Sequence, residues 1–104
     1  MAGGRGPKDK GNRFERELVQ MAVESKIDAK RAWGSNGESL GLPAGVDCRI
    51  CGKLVQAKRR KSVASWMIPE DGIDAVAVRQ DYGEALVVIR YADWLDLLKA
   101  RETP

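Results

Sequence analysis

The strongest constraint on this chain is the stretch Val46-Asp-Cys-Arg-Ile-Cys-Gly-Lys-Leu-Val-Gln-Ala-Lys58. Two strand-forming runs, residues 46–50 and 53–58, flank Cys51-Gly52, a pattern that predicts a tight β-hairpin. A two-residue turn fixes the register. Ile50 then faces Lys53, Arg49 faces Leu54, Cys48 faces Val55 and Asp47 faces Gln56. Cross-strand partners share one side of a sheet at about 5 Å, and Lys58, two residues beyond Gln56, projects from that same side. Asp47, Gln56 and Lys58 therefore converge, while Val46, Cys48, Val55 and Ala57 on the other side supply core. A four-residue loop keeps this register; a three-residue loop breaks it. The polar trio reads either as a solvated sheet face or, because the bounding sequence is apolar enough to be internal, as a set built for a cation or a phosphate.

The chain is 104 residues long with two Cys, no His and a net charge of +3. That length supports one compact domain. Without His, neither a Ser-His-Asp nor a Cys-His nucleophilic device can form, nor a His-ligated zinc or haem site. Catalysis is left to carboxylates, amines, guanidinia, amides, hydroxyls and thiols. The Gly-rich, basic residues 1–11 read as a flexible arm ahead of a single domain over 12–104, and no apolar run follows them as in a secretory signal. No stretch has the 18 apolar residues of a membrane span, and the few Cys point to a reducing, cytoplasmic setting. The modest positive charge favours a phosphate-rich partner.

Apolar residues Phe14, Leu18, Val19, Met21, Ala22 and Ile27 recur at helical steps and predict an amphipathic helix over about residues 13–26. A short strand is expected over 29–33, then a long loop over 34–45 dense in Gly, Ser, Asn and Pro. After the hairpin come a short helical candidate over 62–68, strands over 73–78 and 84–89, and a closing helix over 91–101. The expected class is α/β, a mixed central β-sheet flanked by helices.

Glu15 stands three residues after Asn12, the spacing of a capping box. It also borders the apolar stripe of Leu18, Val19 and Ala22, and that places it toward the sheet. Glu17, beside Gln20 and Glu24, belongs to the solvated face. Cys48-Arg-Ile-Cys51 has zinc-knuckle spacing, but two thiols fall short of four ligands; Cys48 reads as core and Cys51 as turn. Lys58-Arg59-Arg60-Lys61 is either a solvated charge run or a nucleic-acid patch. Trp33, Trp66 and Trp94 read as core or interface residues, with Trp33 also able to stack on a base.

Gly11-Asn-Arg-Phe-Glu15-Arg16-Glu17-Leu18, Arg31-Ala-Trp-Gly-Ser35, Val46-Asp47 and Leu54-Val-Gln56-Ala-Lys58 together resemble the PD-(D/E)xK nuclease superfamily. Within it the pattern is most similar to archaeal-type Holliday junction resolvases, also found in some phages. The likeness spans about residues 11–90. It implies a restriction-endonuclease-like core and a metal-dependent endonuclease that cuts four-way DNA junctions by paired nicks. It places Glu15, Asp47, Gln56 and Ala57 around Mg²⁺, with Mn²⁺ able to substitute, and makes Lys58 the catalytic lysine. Ser35 falls on a catalytic loop; Arg16 and Arg31 contact DNA phosphates, joined by Arg59, Arg60 and Lys61 next to the site.

One position departs from the pattern: the second acid is Gln56, whose amide oxygen can coordinate a hard cation but brings no charge. The competing readings are another nicking or restriction-like nuclease of the superfamily and a catalytically silent DNA-binding module. Paired cuts at symmetry-related phosphates call for a C₂ homodimer. Apolar residues of 73–78 and 86–89, with Trp94 and Leu98, are its expected interface. No membrane and no small-molecule cofactor is expected.

Overall fold

The computed structural model describes residues 7–32 and 45–102. They form a mixed α/β protein of two helices and small antiparallel sheets, in two compact units, Met1–Arg59 and Arg60–Pro104. Among these residues, no helix is long and apolar enough to cross a membrane.

In the first unit, helix α1 (Pro7–Glu24) is followed by strands β1 (Ala29–Arg31), β2 (Cys48–Ile50) and β3 (Lys53–Val55), paired antiparallel in the order β1-β2-β3. α1 starts well before the expected residue 13, so residues 7–11, expected as flexible arm, are helical and Asn12 is interior rather than a cap. The fixed φ of Pro7 suits a first helical turn, where its missing N–H costs nothing. At the other end Lys26, at φ 66°, takes the left-handed position that closes a helix. Its N–H donates to the Val23 carbonyl (2.9 Å) and that of Ile27 to Ala22 (2.9 Å), a Schellman pair that turns Ile27 into the core.

The hairpin register is the expected one: Cys48 pairs with Val55, Arg49 with Leu54 and Ile50 with Lys53. Cys51 (φ 52°) and Gly52 (φ 78°) both lie in the left-handed region, as a type I′ turn requires. The alternation holds in β2, while Val55 and Ala57, expected as core, are only half-buried. Val46, Cys48 and Ile50 are buried with Leu18, Ala22, Ile27 and Ala32, whereas Leu54, Gln56 and Lys58 are exposed. α1 packs on β1 and β2, so the core lies between helix and sheet.

In the second unit a 3₁₀ turn (Ser65–Met67) stands where a short helix was expected, then β4 (Ala75–Arg79), β5 (Ala85–Ile89) and helix α2 (Tyr91–Glu102). Arg90 ties the start of this unit together, donating to the carbonyls of Ile73 (2.9 Å), Pro69 (3.1 Å) and Glu70 (3.2 Å). The expected mixed sheet does not form among the described residues; every strand pairing is antiparallel. Both tight connections, at Cys51-Gly52 and over residues 80–84, are hairpins. A parallel neighbour needs a crossover of about a dozen residues or more.

Leu98 was expected at an interface but is buried with Leu95. The helical stripe Tyr91, Trp94, Leu95, Leu98 is the inward face of α2, and Leu97, off that stripe, is exposed. The expected interface residues Ile73, Leu86 and Val87 are at least half exposed.

Candidate functional site

Asp47 sits just before β2, clamped on both sides by the backbone. Its N–H donates to the Val55 carbonyl (2.8 Å), and its carbonyl accepts from the Ala32 N–H (2.9 Å). Its side chain is fixed as well, because Oδ2 accepts the Ala57 N–H at 2.7 Å. The ladder ends at Val55, so the expected Asp47–Gln56 pairing gives way to this side-chain bond. The carboxylate takes the place of a backbone carbonyl and satisfies a donor that the ladder would have used.

Glu15 is the buried charged residue of the described core, at 4% exposure. Its placement follows from the sequence: Leu18 and Ala22, three and seven residues on, are buried on the same helix face. Its partner is Arg31 at the end of β1, whose Nη2 and Nε donate to Glu15 Oε1 at 3.1 and 3.4 Å. Arg31 Nη2 also reaches Asn12 Oδ1 at 3.4 Å. The capping box is thereby overturned. With α1 beginning at Pro7, Asn12 and Glu15 instead present their oxygens, one turn apart, to Arg31. The i, i+3 spacing was visible in sequence; that an arginine sixteen residues later would meet it was not.

Cys48 is fully buried in β2. Its thiol is pushed up from 9.0 to about 11, first by burial, then by the negative charges of Glu15 and Asp47, with Arg31 pulling the other way. The unfolded thiol ionises near 9 while the folded one stays neutral, so stability holds below pH 9 and falls between 9 and about 11. The loss is up to about 3 kcal/mol, at 1.36 kcal/mol per unit. Chemical denaturation of wild type and Cys48→Ala from pH 8 to 11 checks it: the stability difference between them shifts against wild type by that amount. A constant difference would refute the assignment.

Gln56 and Lys58 are exposed, past the end of β3. The Gln56 amide lies against Gly45, where an added Cβ would come within 2.8 Å of Nε2. Among the described residues no ion pair joins Lys58 to either carboxylate. Arg16 is exposed on α1, and Arg59, Arg60 and Lys61 are exposed where the two units meet in sequence. Ser35 and Trp33 lie outside the described residues. Within those residues no cluster of three or more Cys, Asp or Glu is placed to hold a metal; the expected set relied on two carboxylates, an amide and Ala57. Sequence reasoning missed Asn12 as a partner of Arg31, Cys48 as a sensor of both acids, and Gly45 beside Gln56.

No protein-family model, no curated protein and no solved structure matches this chain.

Proposed function

We propose that this protein is a metal-dependent DNA endonuclease that acts on four-way junctions, built on a restriction-endonuclease-like core and working as a C₂ homodimer. One arrangement supports the reading: a buried Glu15 on the α1 face that packs on β1 and β2, and a backbone-clamped Asp47 at the start of the hairpin whose second strand runs on into Gln56 and Lys58. Carboxylate and amide oxygens suit a hard divalent cation. A buried carboxylate also needs a cation beside it, a place that Arg31 occupies.

Glu15, Asp47, Gln56 and Ala57 would hold Mg²⁺ or Mn²⁺. Bound there, the ion supplies an acidified water and neutralises phosphate charge. Lys58, unengaged by either acid, reaches the developing negative charge as a mobile donor. Arg16, Arg59, Arg60 and Lys61 present positive charge to the backbone of branched DNA. The exposed apolar residues Ile73, Leu86 and Val87 supply surface for the second copy.

A second reading is a DNA-binding module without cleavage. It is favoured by the neutral Gln56 and by a Glu15 already matched by Arg31. The deciding experiment incubates the protein with a four-way junction and with linear duplex, in Mg²⁺ and in Mn²⁺. Paired nicks confined to the junction support the proposal. Equal cutting of linear DNA favours a general nicking or restriction-like nuclease; binding without cutting favours the silent module. A monomeric mass by light scattering, with and without DNA, would remove the paired-nick part.

Arg16→Ala provides a quantitative check on the DNA face. Removing one cation from the phosphate backbone lowers the slope of log affinity against log salt by about 0.9. Fluorescence anisotropy across a salt series should show that decrease along with weaker binding. An unchanged slope would place Arg16 away from DNA.

A further inference from the structure

We propose that Trp66 is a stacking platform for an unpaired DNA base, set beside the cations Arg60 and Lys61. DNA with open strands, as at a branch point, then gains a contact that continuous duplex lacks. This rests on the DNA-binding part of the function proposed above, not on its cleavage chemistry, and names the feature of branched DNA that the second unit recognises.

Trp66 was expected in the core or at an interface, yet it is 59% exposed. Val63 (51%) and Ile68 (58%) are exposed on the same short stretch. Large apolar side chains kept together in water mark a surface that meets something. The backbone beneath them is set rather than loose. Extended residues Ala64 (ψ 131°) and Ile68 (ψ 117°) flank the Ser65–Met67 turn. The Met67 N–H donates to Ala64 (3.0 Å) and that of Ile68 to Ser65 (3.2 Å). Pro69, next in the chain, is buried, and its carbonyl accepts from Arg90 at 3.1 Å. The indole therefore stands on an anchored turn, and little ordering is left to be done on binding.

Charge selects the occupant. From Lys58 to Pro69 the chain has four Lys or Arg and no Asp or Glu, and Arg60 and Lys61 are exposed just ahead of Trp66. Cations attract a phosphate backbone and an aromatic face takes a base, the combination on which single-strand binding relies. Paired bases stack on one another and leave no face for Trp66; an unpaired base does. A lipid surface fits less well, because it takes an amphipathic helix and this element is a single 3₁₀ turn. A second copy also fits less well. Two-fold association that set this patch against itself would bring its cations together.

The test uses the full chain in EDTA, with fluorescence anisotropy on a short oligo(dT) strand, a four-way junction and a blunt duplex. Trp66→Leu keeps an apolar side chain and removes the π-face. Its affinity for the single strand falls by about tenfold, the worth of one stacked base. Its duplex affinity and its slope of log affinity against log salt stay as in wild type. Trp66→Phe, which retains an aromatic face, keeps most of the single-strand affinity. Lys61→Ala instead lowers the single-strand slope by about 0.7. The strand quenches the tryptophan fluorescence of wild type, and most of that quenching is absent from both Trp66 variants.

Thermal unfolding monitors the variants; if Trp66→Leu does not fold, Trp66→Phe decides, through lost quenching with retained affinity. The proposal is overturned if folded Trp66→Leu binds the single strand as tightly as wild type, or weakens on strand and duplex alike. Quenching by phosphatidylserine vesicles and not by the strand overturns it in favour of a lipid surface. A mass by light scattering that halves in Trp66→Leu overturns it in favour of a second copy. A wild type that binds the junction but no single strand overturns the stacking site and leaves the function proposed above standing. A wild type that binds neither overturns both.

Discussion

Asp47→Asn loses at least a thousandfold in the rate of junction cleavage while its affinity for the junction stays within a few-fold of wild type. The magnitude corresponds to about 4 kcal/mol of transition-state stabilisation, the scale on which a metal site acts on a phosphoryl group. Asparagine is the informative replacement. Its side-chain oxygen can still accept the Ala57 N–H that Asp47 Oδ2 holds at 2.7 Å, so the strand end is preserved and only the charge is removed. Alanine would also delete that hydrogen bond, worth about 1 kcal/mol, and confuse the two effects. DNA affinity is spared because sequence-independent binding comes from Lys and Arg. Single-turnover cleavage and anisotropy, run side by side, check both halves. Cleavage at wild-type rate would dismiss Asp47 from the site.

Lys58→Ala slows cleavage by about a hundredfold to a thousandfold, the usual loss when a donor aimed at developing negative charge is removed. Its fold is unaffected. Lys58 is exposed and joined to neither carboxylate, and such surface replacements stay within about 0.5 kcal/mol. Equal melting temperatures with unequal cleavage rates identify a chemical role. A variant that cuts as well as wild type would assign the chemistry to other residues.

The hairpin was readable because its determinants are local. Cys51-Gly52 provides two positions able to take positive φ, and a two-residue turn leaves no freedom in the pairing of Cys48 with Val55. The inward stripe of α1, Glu15 included, was readable for the same reason, since helical periodicity is a property of neighbours. What failed was decided further away. Asn12 and Glu15 have the spacing of a cap, yet their partner is Arg31 across the fold, and the helix starts at Pro7. Leu98 is apolar like Leu97, and only the packing of α2 tells which of them turns inward. The mixed sheet was inferred from element order, which does not say which strands meet. For the candidate site, what brings Glu15 over the sheet is α1 resting on β1 and β2, an arrangement that no spacing rule supplies.

Gly45 joins the 33–44 segment to the hairpin at φ 95°. A side chain there would be strained in that backbone conformation and would push the Gln56 amide aside by its Nε2. For anyone replacing the sequence ahead of the hairpin, residue 45 is the position that limits the splice. The graft must hand over to the native chain through glycine. A splice one residue later would bring a foreign side chain to the joint and displace the Gln56 amide, the group proposed above as a metal ligand.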